Sequence, residues 1–186
     1  MKVAVAKEIE VGERRVALIP DIVARLAKKG LDISIEAGAG EGAFFPDSAY
    51  EAAGAKIVSD PSQIWQGNDV LLKVAPPTPE EVDRLSPDTT LISFLNPLAN
   101  AELMQQIAQR GITALSMELI PRTSRAQSMD ALSSQAGVAG YKAVLVAAEA
   151  LPKFLPMLTT AAGTIRPAKV FIVGAGVAGL QAIATS

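Results

Sequence analysis

Near the carboxyl end, Gly174, Gly176 and Gly179 stand at GxGxxG spacing within "KVFIVGAGVAGLQAIATS". Three glycines alone are a weak sign, because the residue is common. Here an apolar run that reads as a buried strand, Lys169 to Val173, precedes them, and an apolar stretch able to start a helix follows from Val177. A pyrophosphate needs a tight turn, close backbone approach and unpaired N–H groups at a helix start. A ligand-free strand-to-helix turn would use the same glycines, but the flanking pattern favours nucleotide binding. The acid that usually holds the ribose hydroxyls is expected about 20 residues beyond the glycines, which is past Ser186.

Three more residues occupy places where chemistry is done. Arg15 follows the first apolar run, Lys73 interrupts "LLKVA", and Asn96 ends "LISFLNP". In an open parallel sheet, groups at the carboxyl ends of strands line the ligand crevice. A lysine inside an apolar strand is costly to bury without a partner. The bland alternatives are an edge strand that lets the Lys73 amine reach solvent, and a surface ion pair of Arg15 with Glu13 or Glu10. A second glycine cluster, Gly38, Gly40 and Gly42, is followed by Phe44, Phe45 and Pro46. These do not open a helix, so it reads as a tight loop with two buried phenylalanines.

Composition narrows the chemistry further. The 186 residues include no cysteine and no histidine. Thiolate catalysis, imidazole acid–base work near neutral pH and Cys or His metal ligation are excluded, and no metal site is expected. A net charge of −2 offers no field to attract nucleic acid. With 49% apolar and 19% charged residues, the chain has the composition of a soluble protein with a sizeable core. The amino-terminal apolar run is broken at Lys7, so it lacks the core of a secretion signal. The most apolar tract, 136–162, is interrupted by Lys142, Glu149, Pro152 and Lys153, well short of a membrane span.

The elements that must position these residues alternate. Strands are predicted at 2–6, 32–37, 55–58, 69–75, 90–95 and 112–118. Helical patterns lie between them: "PDIVARLAKKG" ends in a basic turn and a glycine, "TPEEVDRL" opens with a Thr cap and Pro, and "NAELMQQIAQRG" closes on Arg and Gly. This spacing calls for parallel strands joined by right-handed crossovers. The polar stretch "LIPRTSRAQSMDALSSQ" follows, and a helix is predicted from about Met129 to Leu151, with Ala136, Gly137, Ala139 and Gly140 allowing close packing. The fold class is α/β with two parallel-sheet, Rossmann-like lobes. Residues 1–133 form an amino-terminal domain; 134–186 form a connecting helix and the start of a nucleotide-binding domain whose lobe is incomplete at the carboxyl end.

The segments "KEIEVGERRVALIP", "AGAGEGAFFPDSAY", "LLKVAPP", "PRTSRAQSMDALSSQAGVAGYKAV" and "VFIVGAGVAGLQAIATS" together resemble the alanine dehydrogenase/transhydrogenase family. The likeness is strongest to the nucleotide-binding α components of proton-translocating NAD(P) transhydrogenases and runs over essentially the whole chain. It implies NAD(H) as cofactor, with its nicotinamide end held at Arg122, Gln127, Asp130 and Ser133, in a segment that also carries Arg125. Gly174, Gly176, Val177 and Gly179 then serve the pyrophosphate. Gln127 offers a carboxamide both donor and acceptor, Arg122 and Asp130 can pair, and Ser133 supplies a hydroxyl. The bland alternative for this segment is a capped helix start, with Ser128 or Asp130 as the cap.

The resemblance also implies a reaction and partners. Hydride passes directly to NADP on a partner component, so no catalytic acid or base is needed, and proton passage belongs to membrane-embedded components. A homodimer, cytoplasmic and peripheral to the membrane through those partners, is expected. Arg15 and Lys73 match positions of an ancestral keto-acid pocket, but Asn96 stands where the dehydrogenases carry a histidine and cannot titrate. Being short of the full nucleotide lobe, the chain is expected to be inactive alone and to bind NADH weakly or not at all. The alternatives are an alanine dehydrogenase-like enzyme or a non-catalytic fragment.

Overall fold

The computed structural model describes residues 1–186 as two compact units, Met1–Ile120 and Pro121–Ser186. In the first unit, β1 (Lys2–Val5), β2 (Asp32–Glu36), β3 (Lys56–Val58), β4 (Val70–Leu72), β5 (Thr90–Ser93) and β6 (Thr113–Ser116) form one sheet in the order β3-β2-β1-β4-β5-β6. Every pairing is parallel. The helices are α1 (Pro20–Ala27), α2 (Asp47–Ala52), α3 (Ser62–Trp65), α4 (Pro79–Arg84) and α5 (Ala101–Gln109). All six strands predicted for this region form, each trimmed at its ends.

Alternation along β1 explains the two-sided core. Val3 and Val5 join Ile33, Ile35, Val23 and Tyr50 in one apolar cluster. Ala4 and Ala6 join Leu71, Leu91, Ile64, Val82 and Ile107 in the other. Strands covered on both faces must be apolar on both, and each fully buried Ile or Leu contributes about 1.5–3 kcal/mol. Because the strand order reverses beside β1, the loops after β1 and β4 diverge and open a crevice at their carboxyl ends.

In the second unit, a 3₁₀ turn over Ser124–Met129 leads into α6 (Ala131–Ala150). An antiparallel hairpin of β7 (Leu158–Thr160) and β8 (Gly163–Ile165) follows, and α7 (Val177–Thr185) ends the chain. No helix is long and apolar enough to cross a membrane.

Two expectations are corrected. Residues 169–173 form no strand: no neighbour pairs with them, and a strand exists only through a ladder. Phe171 and Val173 are 90% and 89% exposed. In the glycine loop, Phe44 is 83% exposed, held at φ 64° with the Arg14 guanidinium 5.0 Å from its ring, so only Phe45, edge-on to Tyr50, packs inward.

Candidate functional site

The crevice after β1 and β4 is a cleft of about 1000 Å³ whose walls include Glu8, Glu10, Lys73, Thr78, Asn100 and Glu102. Lys73 is on a central strand's exit, not an edge, so its amine stays inside. Its Nζ lies 2.9 Å from both carboxylate oxygens of Glu81 and 3.8 Å from Glu8, and 5.5 Å from the Trp65 ring centre. Glu81 is placed by a capping box: Thr78 Oγ1 accepts from the Glu81 amide at 3.2 Å and the Glu81 carboxylate accepts from the Thr78 amide at 2.9 Å. Glu8 accepts from the amides of Val74 at 2.6 Å and Ala75 at 3.2 Å, tying the loop after β1 to the loop after β4. Burial pushes the Glu8 carboxyl above its ordinary 4.5, and those amides and Lys73 only partly oppose it.

Arg15 takes the bland role. Its Nε and Nη2 donate to Glu13 at 2.8 and 2.5 Å, and it borders a separate pocket of about 150 Å³ together with Glu13, Glu8 and Gly38. The Arg15 hydrogen bond holds the Glu13 carboxyl below its usual range. Asn96 is exposed, has φ 45°, and lines neither cavity. Its amide and that of Leu95 donate to Glu118, which also accepts from Ser116 Oγ at 2.5 Å. Burial alone would raise the Glu118 carboxyl, but these bonds outweigh it and hold it low. Arg15 and Lys73 thus border two different cavities, which share Glu8, and Asn96 lines neither. Glu8, Glu81 and Glu118 went unnoticed in the sequence, although Thr78 to Glu81 carries the capping-box signature.

The polar segment of the second unit does converge. Arg122, Thr123, Ser124, Gln127 and Asp130 line a cavity of about 260 Å³. Buried Ala126 anchors the 3₁₀ turn, leaving Arg122, Arg125 and Gln127 exposed. Asp130, not Ser128, caps α6: it accepts from the Ser133 amide at 2.9 Å and the Ser133 hydroxyl at 2.6 Å. Those bonds, the Ser133 hydroxyl first, hold the Asp130 carboxyl below its ordinary value, with Arg122 adding to the effect. Ser133 thus reaches the cavity through Asp130, while Arg125 is outside its lining. Amide, guanidinium and carboxylate around one small cavity can bracket a planar polar group.

At the other glycines, Gly174 has φ 100°, which a side chain would strain, and Gly176 precedes the first helical residue, Val177. A Cβ at Gly179 would sit 2.0 Å from the Gly174 carbonyl oxygen, so the turn folds tightly onto the first turn of α7. The amides at the start of α7 lack intrahelical acceptors, as at any helix amino end.

The domain model described as alanine dehydrogenase/PNT, N-terminal domain, matches residues 4–139, and that of the C-terminal domain matches residues 143–186. The chain belongs to the alanine dehydrogenase/PNT family. It is 46% identical, over its whole length, to the NAD(P) transhydrogenase subunit alpha of Cereibacter sphaeroides, of which it spans 36%. Among solved structures, transhydrogenase from Sinorhizobium meliloti matches all of the chain with a TM-score of 0.95 at 46% identity, the chain spanning 55% of it. An L-alanine dehydrogenase matches 99% of the chain at 0.86 and 32%, with 51% of its own length covered.

Proposed function

We propose that this chain is the NAD(H)-binding part of a proton-translocating NAD(P) transhydrogenase, which positions NADH for direct hydride transfer to NADP on a partner component. The convergence of Arg122, Gln127 and Asp130 on one cavity carries this reading. Gln127 meets the nicotinamide carboxamide, Arg122 and Asp130 bracket it, Ser133 fixes Asp130, and Arg125 adds positive charge at the rim. Gly174, Gly176, Val177 and Gly179 receive the pyrophosphate on backbone amides. When bound, NADH supplies the hydride; the chain's own residues orient the ring, and orientation is the main source of rate. No side chain has to gain or lose a proton, in keeping with a sequence that has no histidine. The partners are an NADP-binding component, membrane-embedded components and a second copy of the chain, which hold it at the cytoplasmic face of the membrane.

An alanine dehydrogenase reading is weaker on physical grounds, because Glu81 and Glu8 already engage Lys73. Titrating the isotope-labelled chain with NADH by NMR tests the proposal. Weak binding, on the order of 1 mM, is expected, with shifts at the amides of 127–133 and 174–179. Shifts confined to the cleft beside Lys73, or NADH oxidation by pyruvate and ammonia, would refute it.

A further inference from the structure

The long helix α6 is tied down at two points. At its start, Asp130 both caps the helix and lines the polar cavity. Further along, the buried residues of α6 are Gly140 and Val144. A Cβ at Gly140 would lie 2.2 Å from the carbonyl oxygen of Ala178, 2.9 Å from its carbonyl carbon and 3.0 Å from its Cα. All three are backbone atoms of the first turn of α7, so no side chain can swing aside to make room. Gly137, less than one turn earlier, would meet nothing within 4 Å. Position 140 therefore needs glycine for contact, and position 137 does not.

The glycine turn moves with α7, because Gly179 is pressed equally closely on the Gly174 carbonyl. The polar loop moves with the first turn of α6 through the Asp130–Ser133 bonds. From these contacts we infer that α6 is the spacer that fixes the separation between the loop 122–130 and the glycine turn 174–179, with Gly140 as the positioning residue that seats the turn. At about 1.5 Å per residue, roughly 15 Å of helix separates Asp130 from Gly140. This rests on the dinucleotide reading above. A dinucleotide touches the two places with two parts of one molecule, its nicotinamide and its pyrophosphate, so a rigid separation makes the second contact intramolecular, and a misplacement of about 1 Å is enough to weaken it.

The chain has no cysteine, so Ser128→Cys and Leu180→Cys, both at exposed positions, place spin labels at unique sites for pulsed distance measurements. A narrow distribution is expected with Gly140 and with Gly137→Ala. Gly140→Ala should lengthen the distance by about 1.2 Å, the shift that opens 2.2 Å to an ordinary contact, and Gly140→Val should lengthen it further. Unchanged distances in both Gly140 variants overturn the inference. Should either variant fail to fold, inserting seven helix-forming residues after Gly137 keeps the helical phase and adds about 10.5 Å, leaving the contacts at each end in place. In that insertion ADP, which reaches the glycine turn alone, should bind as before, whereas NADH should lose about tenfold and fall to the level of ADP. NADH keeping its affinity there also overturns the spacer. If the unaltered chain fails to prefer NADH over ADP, the dinucleotide reading falls, and the spin-label distances still judge the spacer by themselves.

Discussion

Lys73 and Glu81 form a buried, two-pronged ion pair, both carboxylate oxygens 2.9 Å from Nζ and both side chains at most 5% exposed. The pair joins the exit of β4 to the first turn of α4. Removing Glu81 leaves the buried Lys73 ammonium with only Glu8, 3.8 Å away, as its counter-charge. Glu81→Ala, which also breaks the capping box, is expected to cost about 3–5 kcal/mol in urea unfolding. Replacing both residues with apolar ones of similar volume should cost much less. A double change that costs as much as the two single changes added together would mean the pair is not coupled.

Glu8 makes stability depend on pH in an unusual direction. Its folded carboxyl titrates above the ordinary 4.5, chiefly because it is buried. As pH rises through that value the unfolded chain gives up the proton first, so the native state is stabilised below it and loses that contribution as pH climbs through the folded value. Glu13 and Glu118, held low by their hydrogen bonds, act oppositely: their contribution is present above the ordinary value and is lost as pH falls. Urea unfolding from pH 4 to pH 7 should show the difference between the natural chain and Glu8→Gln declining as pH rises. A difference that grows over this range would show that Glu8 is not raised.

Three glycines of one motif should respond differently to alanine. Gly179→Ala puts a methyl group 2.0 Å from a carbonyl oxygen, and overpacking of this kind costs about 1–3 kcal/mol. This exceeds the gain of about 1 kcal/mol that alanine brings inside a helix. Gly174→Ala meets open space but must adopt φ near 100°, a backbone strain of about 1–3 kcal/mol. Gly176→Ala has φ −79° and nothing within 4 Å, so stability should hardly change. Thermal melts separate Gly176 from the other two, and a large loss at Gly176 would contradict the geometry.

Periodicity and punctuation made the first unit legible. The short apolar run in "KVAVA" marks a strand, and Thr78 and Pro79 mark a helix start, since both are local features that the fold only has to accommodate. Lys73 was legible as a problem but not as a solution, because its partners Glu81 and Glu8 come from other elements. The strand expected at 169–173 did not form, since its pattern describes a burial that depends on neighbours. The hairpin at 158–165 had no signal among the predicted elements: Leu158, Thr159 and Thr160 are too few to show a period. Of the candidate site, the glycines were proposed from spacing and flanking pattern, whereas the polar segment was proposed from the family resemblance, its residue types alone reading equally as a capped helix start. That Asp130 serves both cavity and helix cap, and that Gly140 rather than Gly137 meets α7, depends on tertiary placement.

Asp130 allows structural and binding roles to be separated. As the cap of α6 it accepts two bonds from Ser133, and as a carboxylate beside Arg122 it contributes charge to the cavity. Asparagine caps helices as well as aspartate does, whereas alanine does not. Asp130→Asn should therefore melt near the natural temperature and Asp130→Ala below it. If the negative charge orients Arg122 toward a nicotinamide, both variants should weaken NADH binding in the NMR titration. Gln127→Ala, at an exposed position, should leave the melt unchanged and weaken NADH as well. Asp130→Asn binding NADH like the natural chain would reduce Asp130 to a cap and leave Gln127 and Arg122 as the groups that meet the ring.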